Sequence, residues 1–147
     1  MTTDVDAVTA ANQELYEAFE IADVDRMAAV WDDADDVRCI HPGWPPLVGK
    51  PRVMRSWSVL MANTGYIQFF LTGVSAVVEG DVAVVTCEEN ILTGDGDGTG
   101  SDGVGSLEGL GGNQKVLATN VFRRRAGGWR LWLHHASPVL APTEPAE

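Results

Sequence analysis

Residues 37–57 decide the fold, and they read Val-Arg-Cys-Ile-His-Pro-Gly-Trp-Pro-Pro-Leu-Val-Gly-Lys-Pro-Arg-Val-Met-Arg-Ser-Trp. The first four residues are typical of a short apolar strand. We expect this strand to end at His41, because the proline that follows cannot donate to a strand ladder. Glycines and prolines then predict an ordered turn, and Val53, Trp57 and Leu60 recur at helical spacing. The stretch therefore predicts a strand, a turn and a helix, with a histidine fixed at the strand end.

Two further helices are predicted before this stretch. Over residues 4–22, apolar side chains recur every three or four positions, which is typical of an amphipathic helix. Asp23 is expected to cap a second, shorter helix, in which Met27 and Trp31 share a face. The third helix is expected to end near Gly65, since glycine readily adopts the left-handed conformation of a helix stop.

After the third helix the hydrophobic period changes from helical to extended. Four long strands are predicted, over residues 67–78, 82–92, 115–125 and 129–140. The first is expected to bend or bulge at Gly73. Helices followed by antiparallel strands indicate an α+β fold. Because the strands are apolar on both faces, we expect helices and a pocket on one sheet face and a partner subunit on the other.

Residues 94–112 form a glycine-rich segment between the second and third long strands, with nine of the chain's 16 glycines. Asp95, Asp97 and Thr99 resemble the start of an EF-hand calcium loop. Its twelfth position is Ser106 instead of a bidentate glutamate, and no helices flank it. We therefore favour a flexible hairpin extension, with a mobile lid over a pocket as the alternative.

Length and charge narrow the class of protein. The chain of 147 residues predicts one domain over residues 1–147, with a disordered tail from about residue 141 to 147. A net charge of −11 argues against a nucleic-acid partner and against an anionic membrane surface. No apolar run approaches the roughly 20 residues of a membrane span.

The N-terminus and the cysteines predict a cytoplasmic protein. The first residues are acidic and lack the basic start of a signal peptide. Cys39 and Cys87 lie inside apolar strands, which favours buried, reduced thiols.

His41 is the leading candidate for chemistry, because histidine titrates near neutral pH and serves as a general acid or base. The alternative is a strand-end histidine that only forms local hydrogen bonds. Glu89 shares a strand face with Val85 and Cys87 and is therefore expected to point inward. Asn120 lies on the apolar set of its own strand and is expected as a polar group at the centre of the sheet.

The last strand carries adjacent histidines that alternation places on opposite faces. Leu131, Leu133, His135 and Ser137 share the more apolar set, so His135 and Ser137 are expected to face the interior. An inward glutamate with two inward histidines would form an acid–base network, in which Glu89 orients or charges an imidazole. A purely structural polar network is an equal alternative.

Other candidates concern binding. Trp44, in the turn beside His41, and Trp57, on the third helix, are predicted as apolar walls of a pocket.

No H-x-H or H-x-x-x-H pair is present, so no metal is expected. No phosphate-binding or dinucleotide glycine pattern is present, and no cofactor is expected.

These segments, in this order, resemble a known superfamily. The likeness is carried by Asp23-Val-Asp-Arg-Met-Ala-Ala-Val-Trp, His41-Pro-Gly-Trp-Pro, Ser56-Trp57, Thr119-Asn-Val-Phe and Trp129-Arg-Leu-Trp-Leu-His-His-Ala-Ser-Pro. Together they are similar to the nuclear transport factor 2-like, SnoaL-like superfamily, which includes ketosteroid isomerases, polyketide cyclases, scytalone dehydratase and limonene epoxide hydrolase.

The resemblance implies a cone-shaped barrel, in which a curved antiparallel sheet wraps around three N-terminal helices. It further implies a hydrophobic ligand in the open mouth and a homodimer through the sheet. His41 matches the position of the aspartate base of ketosteroid isomerases. Tyr16 is one residue out of register with their oxyanion-hole tyrosine.

We therefore expect a small cone-fold protein that binds a hydrophobic small molecule. If it is catalytic, we expect proton transfer (isomerisation, cyclisation or dehydration) on a hydrophobic carbonyl or polyketide-like substrate. His41, His135 and Glu89 would be catalytic, while Trp44, Trp57, Asn120 and Ser137 would contact the ligand. The alternative is a non-catalytic binding or dimerisation module with the same fold.

Overall fold

The computed structural model describes residues 2–94 and 113–140. The hairpin extension, or alternatively a lid, is predicted over residues 94–112, and all of these except Gly94 lie outside the described residues. The predicted disordered tail over residues 141–147 also lies outside them.

Within residues 2–94 and 113–140, three helices form where the apolar period predicts them. Helix α1 spans Asp4–Glu20, α2 spans Val24–Val30 and α3 spans Lys50–Asn63. The Asp23 carboxylate caps α2 as predicted, accepting the backbone N–H of Arg26 at 3.0 Å.

In the described part of the chain, six strands form one curved, open sheet: β1 at Arg38–Ile40, β2 at Leu47–Val48, β3 at Ile67–Glu79, β4 at Val82–Thr93, β5 at Asn113–Arg125 and β6 at Gly128–Pro138. Their order across the sheet is β2-β1-β6-β5-β4-β3. The short β2 lies in the segment for which only a turn was predicted. All neighbours are antiparallel except β1 and β6, which are parallel, so the sheet is mixed and not purely antiparallel. The long connection through α3 and four strands lets the chain return in the same direction.

Two irregularities interrupt the strand pairing. In β3 the register shifts between Thr72 and Ser75, where Gly73 adopts a φ of 61°, so the bulge predicted there is present. In the pairing of β5 with β6, the register shifts between Val121 and Phe122 of β5.

The second irregularity decides which histidine is buried. Phe122 pairs with Leu131 and Val121 pairs with Leu133, so Trp132 is an extra residue that β5 does not match. Because side chains alternate between sheet faces, one extra residue reverses the alternation beyond it. His134 is therefore buried, with 3% exposure.

The same reversal makes the predicted inward face of β6 wrong beyond Trp132. His135 and Ser137 are exposed. They lie on the outer sheet face, paired with Thr119 and Leu117 of β5.

The inner sheet face packs against the helices and forms the core. Inward residues of β4 and β5, such as Val85, Val116 and Phe122, are fully buried. Cys39 and Cys87 are both buried and unpaired, as predicted. Among the described residues, no helix is long and apolar enough to cross a membrane.

The outer face of the sheet exposes large apolar side chains. On β3–β5 these include Phe70, Val77, Val84 and Leu117, which are between 37% and 61% exposed. The second apolar strand face that the sequence predicts is thus present on the surface.

A partly buried ion-pair cluster joins the end of α2 to β5. Asp32 is 5% exposed and accepts hydrogen bonds from Arg123 Nε at 2.7 Å and Arg125 Nη2 at 2.6 Å. The hydrogen bonds from Arg125 and then Arg123 lower the pKa of Asp32 to about 2, against the opposing effect of burial.

Candidate functional site

A cavity opens between the helices and the inner sheet face. Together with the solvent at its open mouth, it spans about 380 Å³ of space that protein atoms do not occupy. Its wall is formed by Leu15, Tyr16, Phe19, His41, Pro42, Trp57, Leu60, Phe69, Glu89, Ile91 and His134. Most of these residues are apolar or aromatic, and the few polar groups converge on one space, which is typical of a small-molecule site.

Glu89 is the acidic group of the cavity. It points inward from β4, as the alternation predicts, and is 4% exposed. The Tyr16 hydroxyl donates a 2.6 Å hydrogen bond to Oε2 of Glu89. Burial raises the pKa of Glu89 to about 7, and the hydrogen bond from Tyr16 partly opposes that rise. At neutral pH this carboxyl is therefore present in both protonation states.

His41 lies just after β1, is 2% exposed, and is fixed by a hydrogen bond to α3. Its Nε2 lies 2.9 Å from Ser56 Oγ, and the Ser56 hydroxyl donates to the Val53 carbonyl at 2.6 Å. Since the single hydroxyl proton is directed at the carbonyl, the proton between His41 and Ser56 must belong to Nε2. Burial lowers the pKa of His41 to about 4, so the ring is neutral at pH 7.

His134 is the second imidazole in the cavity wall. Its Nδ1 lies 2.6 Å from Oδ1 of Asn120. Burial first, and then the nearby His41 and His135, lower the pKa of His134 to about 3. The centroids of the His41 and His134 rings are 6.3 Å apart, so the cavity holds two neutral imidazoles close together.

Asn120 connects these groups from outside the wall. It is fully buried, and its Nδ2 donates to Oδ1 of Asn12 at 2.7 Å and to the Tyr16 hydroxyl at 3.1 Å. One amide therefore joins His134 to the Tyr16–Glu89 pair. Asn120 is the predicted polar group at the sheet centre, but it is absent from the residues that line the cavity.

The two predicted tryptophan walls differ in position. Trp57 lines the cavity, and its ring centroid is 4.7 Å from that of His41 in an edge-to-face arrangement. Trp44 is half-buried and packs edge-on against His41 at 4.8 Å, but it is not among the lining residues. Trp44 thus supports His41, while Trp57 borders the cavity.

The structure brings together His41, Glu89 and Trp57 from the predicted set, and it excludes His135 and Ser137. The predicted contact of Glu89 with an imidazole is also absent from the described residues, since Glu89 is hydrogen-bonded to Tyr16 instead.

Sequence reasoning left two polar wall residues out of the predicted site, Tyr16 and His134. Tyr16 lies between Leu15 and Phe19 on the apolar stripe of α1. This position in the sequence could have indicated that its side chain faces the cavity. His134 was assigned to the wrong face, and no sequence pattern marks the bulge responsible. Among residues 2–94 and 113–140, no three His, Cys, Asp or Glu side chains gather as a metal site would require.

Residues 8–142 match the SnoaL-like domain family, and the chain belongs to that family. Among solved structures, it is 48% identical to a proposed dehydratase of the NTF2-like family from Streptomyces avermitilis. That likeness has a TM-score of 0.79 and covers 94% of this chain and 97% of that one.

A second solved structure is a proposed calcium/calmodulin-dependent protein kinase type II association domain from Thiobacillus denitrificans. It is 34% identical, with a TM-score of 0.72 and coverage of 90% of this chain and 94% of that one. A ketosteroid isomerase-like protein from Erwinia carotovora, at 19% identity and TM-score 0.70, shares the fold; that likeness covers 95% of this chain and 99% of that one.

A curated relative is the F-box protein SKIP8 of Arabidopsis thaliana, which is 25% identical over 134 residues. The match covers 91% of this chain, and the chain spans about half the length of that relative. Together the comparisons define an α+β, NTF2-like cone fold with a SnoaL-like sequence.

Proposed function

We propose that this protein is an acid–base enzyme that dehydrates a small, apolar β-hydroxy carbonyl compound. The observation that carries the proposal is Glu89, a carboxyl with a pKa of about 7 inside an apolar, open cavity. A group whose pKa lies near the working pH both accepts and returns a proton efficiently.

The reaction needs one carboxyl to act twice. Ionised Glu89 takes the proton from the carbon next to the carbonyl. The carbon–carbon double bond forms as the bond to the β-hydroxyl breaks, and Glu89 returns its proton to the departing oxygen, which leaves as water. Tyr16 holds the carboxylate in place through its 2.6 Å hydrogen bond.

Two observations favour dehydration among the proton-transfer reactions. The structure with 48% identity is described as a proposed dehydratase. In addition, His41 and His134 are neutral at pH 7 and can accept hydrogen bonds from a substrate hydroxyl, which would hold the leaving group beside Glu89.

The test uses the aldol adduct of benzaldehyde and acetone, an apolar β-hydroxy ketone. Dehydration yields benzylideneacetone, followed by its near-ultraviolet absorbance, and proton abstraction alone is followed by deuterium uptake from D₂O. We expect Glu89→Gln to reduce both rates at least about 100-fold. Glu88→Gln is the matched control, because Glu88 is the adjacent carboxyl on the outer face, bonded to Thr72.

Two results would contradict the proposal. The first is a Glu89→Gln variant as active as the Glu88→Gln control. The second is a wild-type protein that neither dehydrates the adduct nor exchanges its protons.

The outer sheet face supports a second candidate function, assembly, either with catalysis or in place of it. The solved structure with 34% identity is described as an association domain, and the outer face exposes Phe70, Val77 and Leu117. We propose that two copies pair through this face, since exposed apolar patches mark interaction surfaces.

Sedimentation velocity tests the assembly. We expect a wild-type dimer that Leu117→Glu converts to monomer, because a charge would be buried at the interface. Ile21→Glu is the control, since Ile21 is exposed at the end of α1, away from the sheet face. A wild-type monomer at all concentrations would refute the pairing.

A further inference from the structure

Most hydrogen atoms of the polar groups around the cavity are committed to other protein atoms; the indole N–H of Trp57 is enclosed and has no partner among the described residues. The Tyr16 hydroxyl donates to Glu89, and both amide protons of Asn120 are used, one toward Asn12 and one toward Tyr16. At the other end of the cavity, His41 donates through Nε2 to Ser56, whose hydroxyl donates in turn to a backbone carbonyl.

This arrangement fixes the tautomer of His134. Because Asn120 donates through its nitrogen to two partners, the atom that faces His134 is its oxygen, which can only accept. The proton of the neutral His134 ring therefore lies on Nδ1, and Nε2 carries a lone pair.

That lone pair is available to the cavity. Among the described residues, Nε2 of His134 has no hydrogen-bond partner, and it is not one of the fully enclosed unpaired atoms. His134 is 3% exposed and is one of the residues that line the cavity. Oε1 of Glu89 likewise has no hydrogen-bond partner among the described residues and is not one of the fully enclosed unpaired atoms, and Glu89 also lines the cavity. When Glu89 is ionised, both of these free polar atoms are thus acceptors.

We propose that the cavity selects its ligand by a hydroxyl hydrogen that the ligand donates, with His134 Nε2 as the acceptor and Asn120 as the positioning residue. The expected ligand is a small, apolar molecule with an alcoholic, phenolic or enolic hydroxyl. A molecule that offers only a carbonyl, which accepts hydrogen bonds and donates none, is not expected to be selected. The inference rests on the site of the proposed function and specifies its substrate, but it concerns binding and not turnover.

A matched pair of ligands tests the proposal on the wild-type protein. β-Naphthol and its methyl ether share one ring system, and only the first can donate a hydrogen bond. We expect isothermal titration calorimetry to show β-naphthol binding at least about tenfold more tightly. His134→Phe should remove that preference, whereas His135→Phe, which changes the adjacent histidine on the outer face, should keep it.

A second measurement reads the tautomer directly. In protein with ¹⁵N-labelled histidine, long-range ¹H–¹⁵N correlation distinguishes a protonated ring nitrogen from a bare one. We expect His134 protonated at Nδ1 and His41 at Nε2, so that the two rings show opposite tautomers. This measurement needs no substitution and remains informative if the His134→Phe variant does not fold.

Three outcomes overturn the proposal: a His134 proton on Nε2, equal affinity for the two naphthalene compounds, or no binding of either. A proton on Nε2 would instead indicate a ligand that presents an acceptor. None of these outcomes bears on whether Glu89 exchanges the protons of a β-hydroxy ketone, so the two proposals fail separately.

Discussion

Replacing Tyr16 with phenylalanine isolates one hydrogen bond that sets the chemistry of the cavity. The Tyr16 hydroxyl donates to Oε2 of Glu89 at 2.6 Å, and this bond favours the ionised carboxyl. Tyr16→Phe keeps the ring that packs against Phe69, with centroids 5.1 Å apart, and deletes the hydroxyl that donates to Glu89 and accepts from Asn120. We therefore expect the pKa of Glu89 to rise in the variant.

The size of the rise follows from the strength of the bond. A hydrogen bond to a charged group contributes about 1.5–3 kcal/mol, and about 1.4 kcal/mol corresponds to one pH unit. Because Glu89 is almost fully buried, solvent screening removes little of this energy. The titration midpoint should move upward by roughly one to two pH units, and the ionised fraction at pH 7 should fall from about half to about a tenth or less.

The assay is a pH titration of side-chain carboxyl resonances in protein labelled with ¹³C-glutamate. The Glu89 resonance is assigned by its loss in Glu89→Gln. Tyr66→Phe is the control, since Tyr66 is 59% exposed and its hydroxyl donates to Gln68. A Glu89 midpoint in Tyr16→Phe that matches wild type, or that lies lower, would refute the assigned role of Tyr16.

Two further predictions concern stability. Asp32→Asn should lower the free energy of unfolding by about 2–3 kcal/mol, measured by urea unfolding, because two arginines lose a buried partner. Asp33→Asn, at a 91% exposed side chain, should change it by less than about 1 kcal/mol, and equal effects would contradict the argument. Burial lowers the pKa of His41 to about 4 and of His134 to about 3, so below about pH 6.5 the unfolded chain binds two protons that the folded chain does not. The raised pKa of Glu89 gives the folded chain one proton in return, so the free energy of unfolding should fall as the pH drops below 6.5, with a slope that reaches about 1.4 kcal/mol per pH unit between about pH 5.5 and 5. In Glu89→Gln the slope should double, and an unchanged slope would show that these groups do not titrate as assigned.

Much of the fold could be predicted because its signals are local. The apolar spacing in α1 and the cap at Asp23 depend on neighbours within one helical turn, and both are present. The same holds for the bulge at Gly73. The parallel pairing of β1 with β6 could not be predicted in this way, because it joins segments that are far apart in the chain.

The candidate site was predicted where simple alternation holds and missed where it fails. Glu89 and Asn120 face inward because β4 and β5 alternate regularly around them. In β6 the unmatched residue Trp132 reverses the faces, so His134 enters the cavity while His135 faces outward.

The sequence by itself determined the α+β order, the inward carboxyl at Glu89 and the histidine at the end of β1, since each follows from spacing along one segment. Only the tertiary structure decided which histidine of β6 is buried, that Glu89 pairs with Tyr16, and which nitrogen of each imidazole carries the proton. The physical reason is that register, burial and hydrogen-bond direction are properties of groups that meet across the fold. The proton positions, and therefore the chemistry, are set by partners that are distant in the chain.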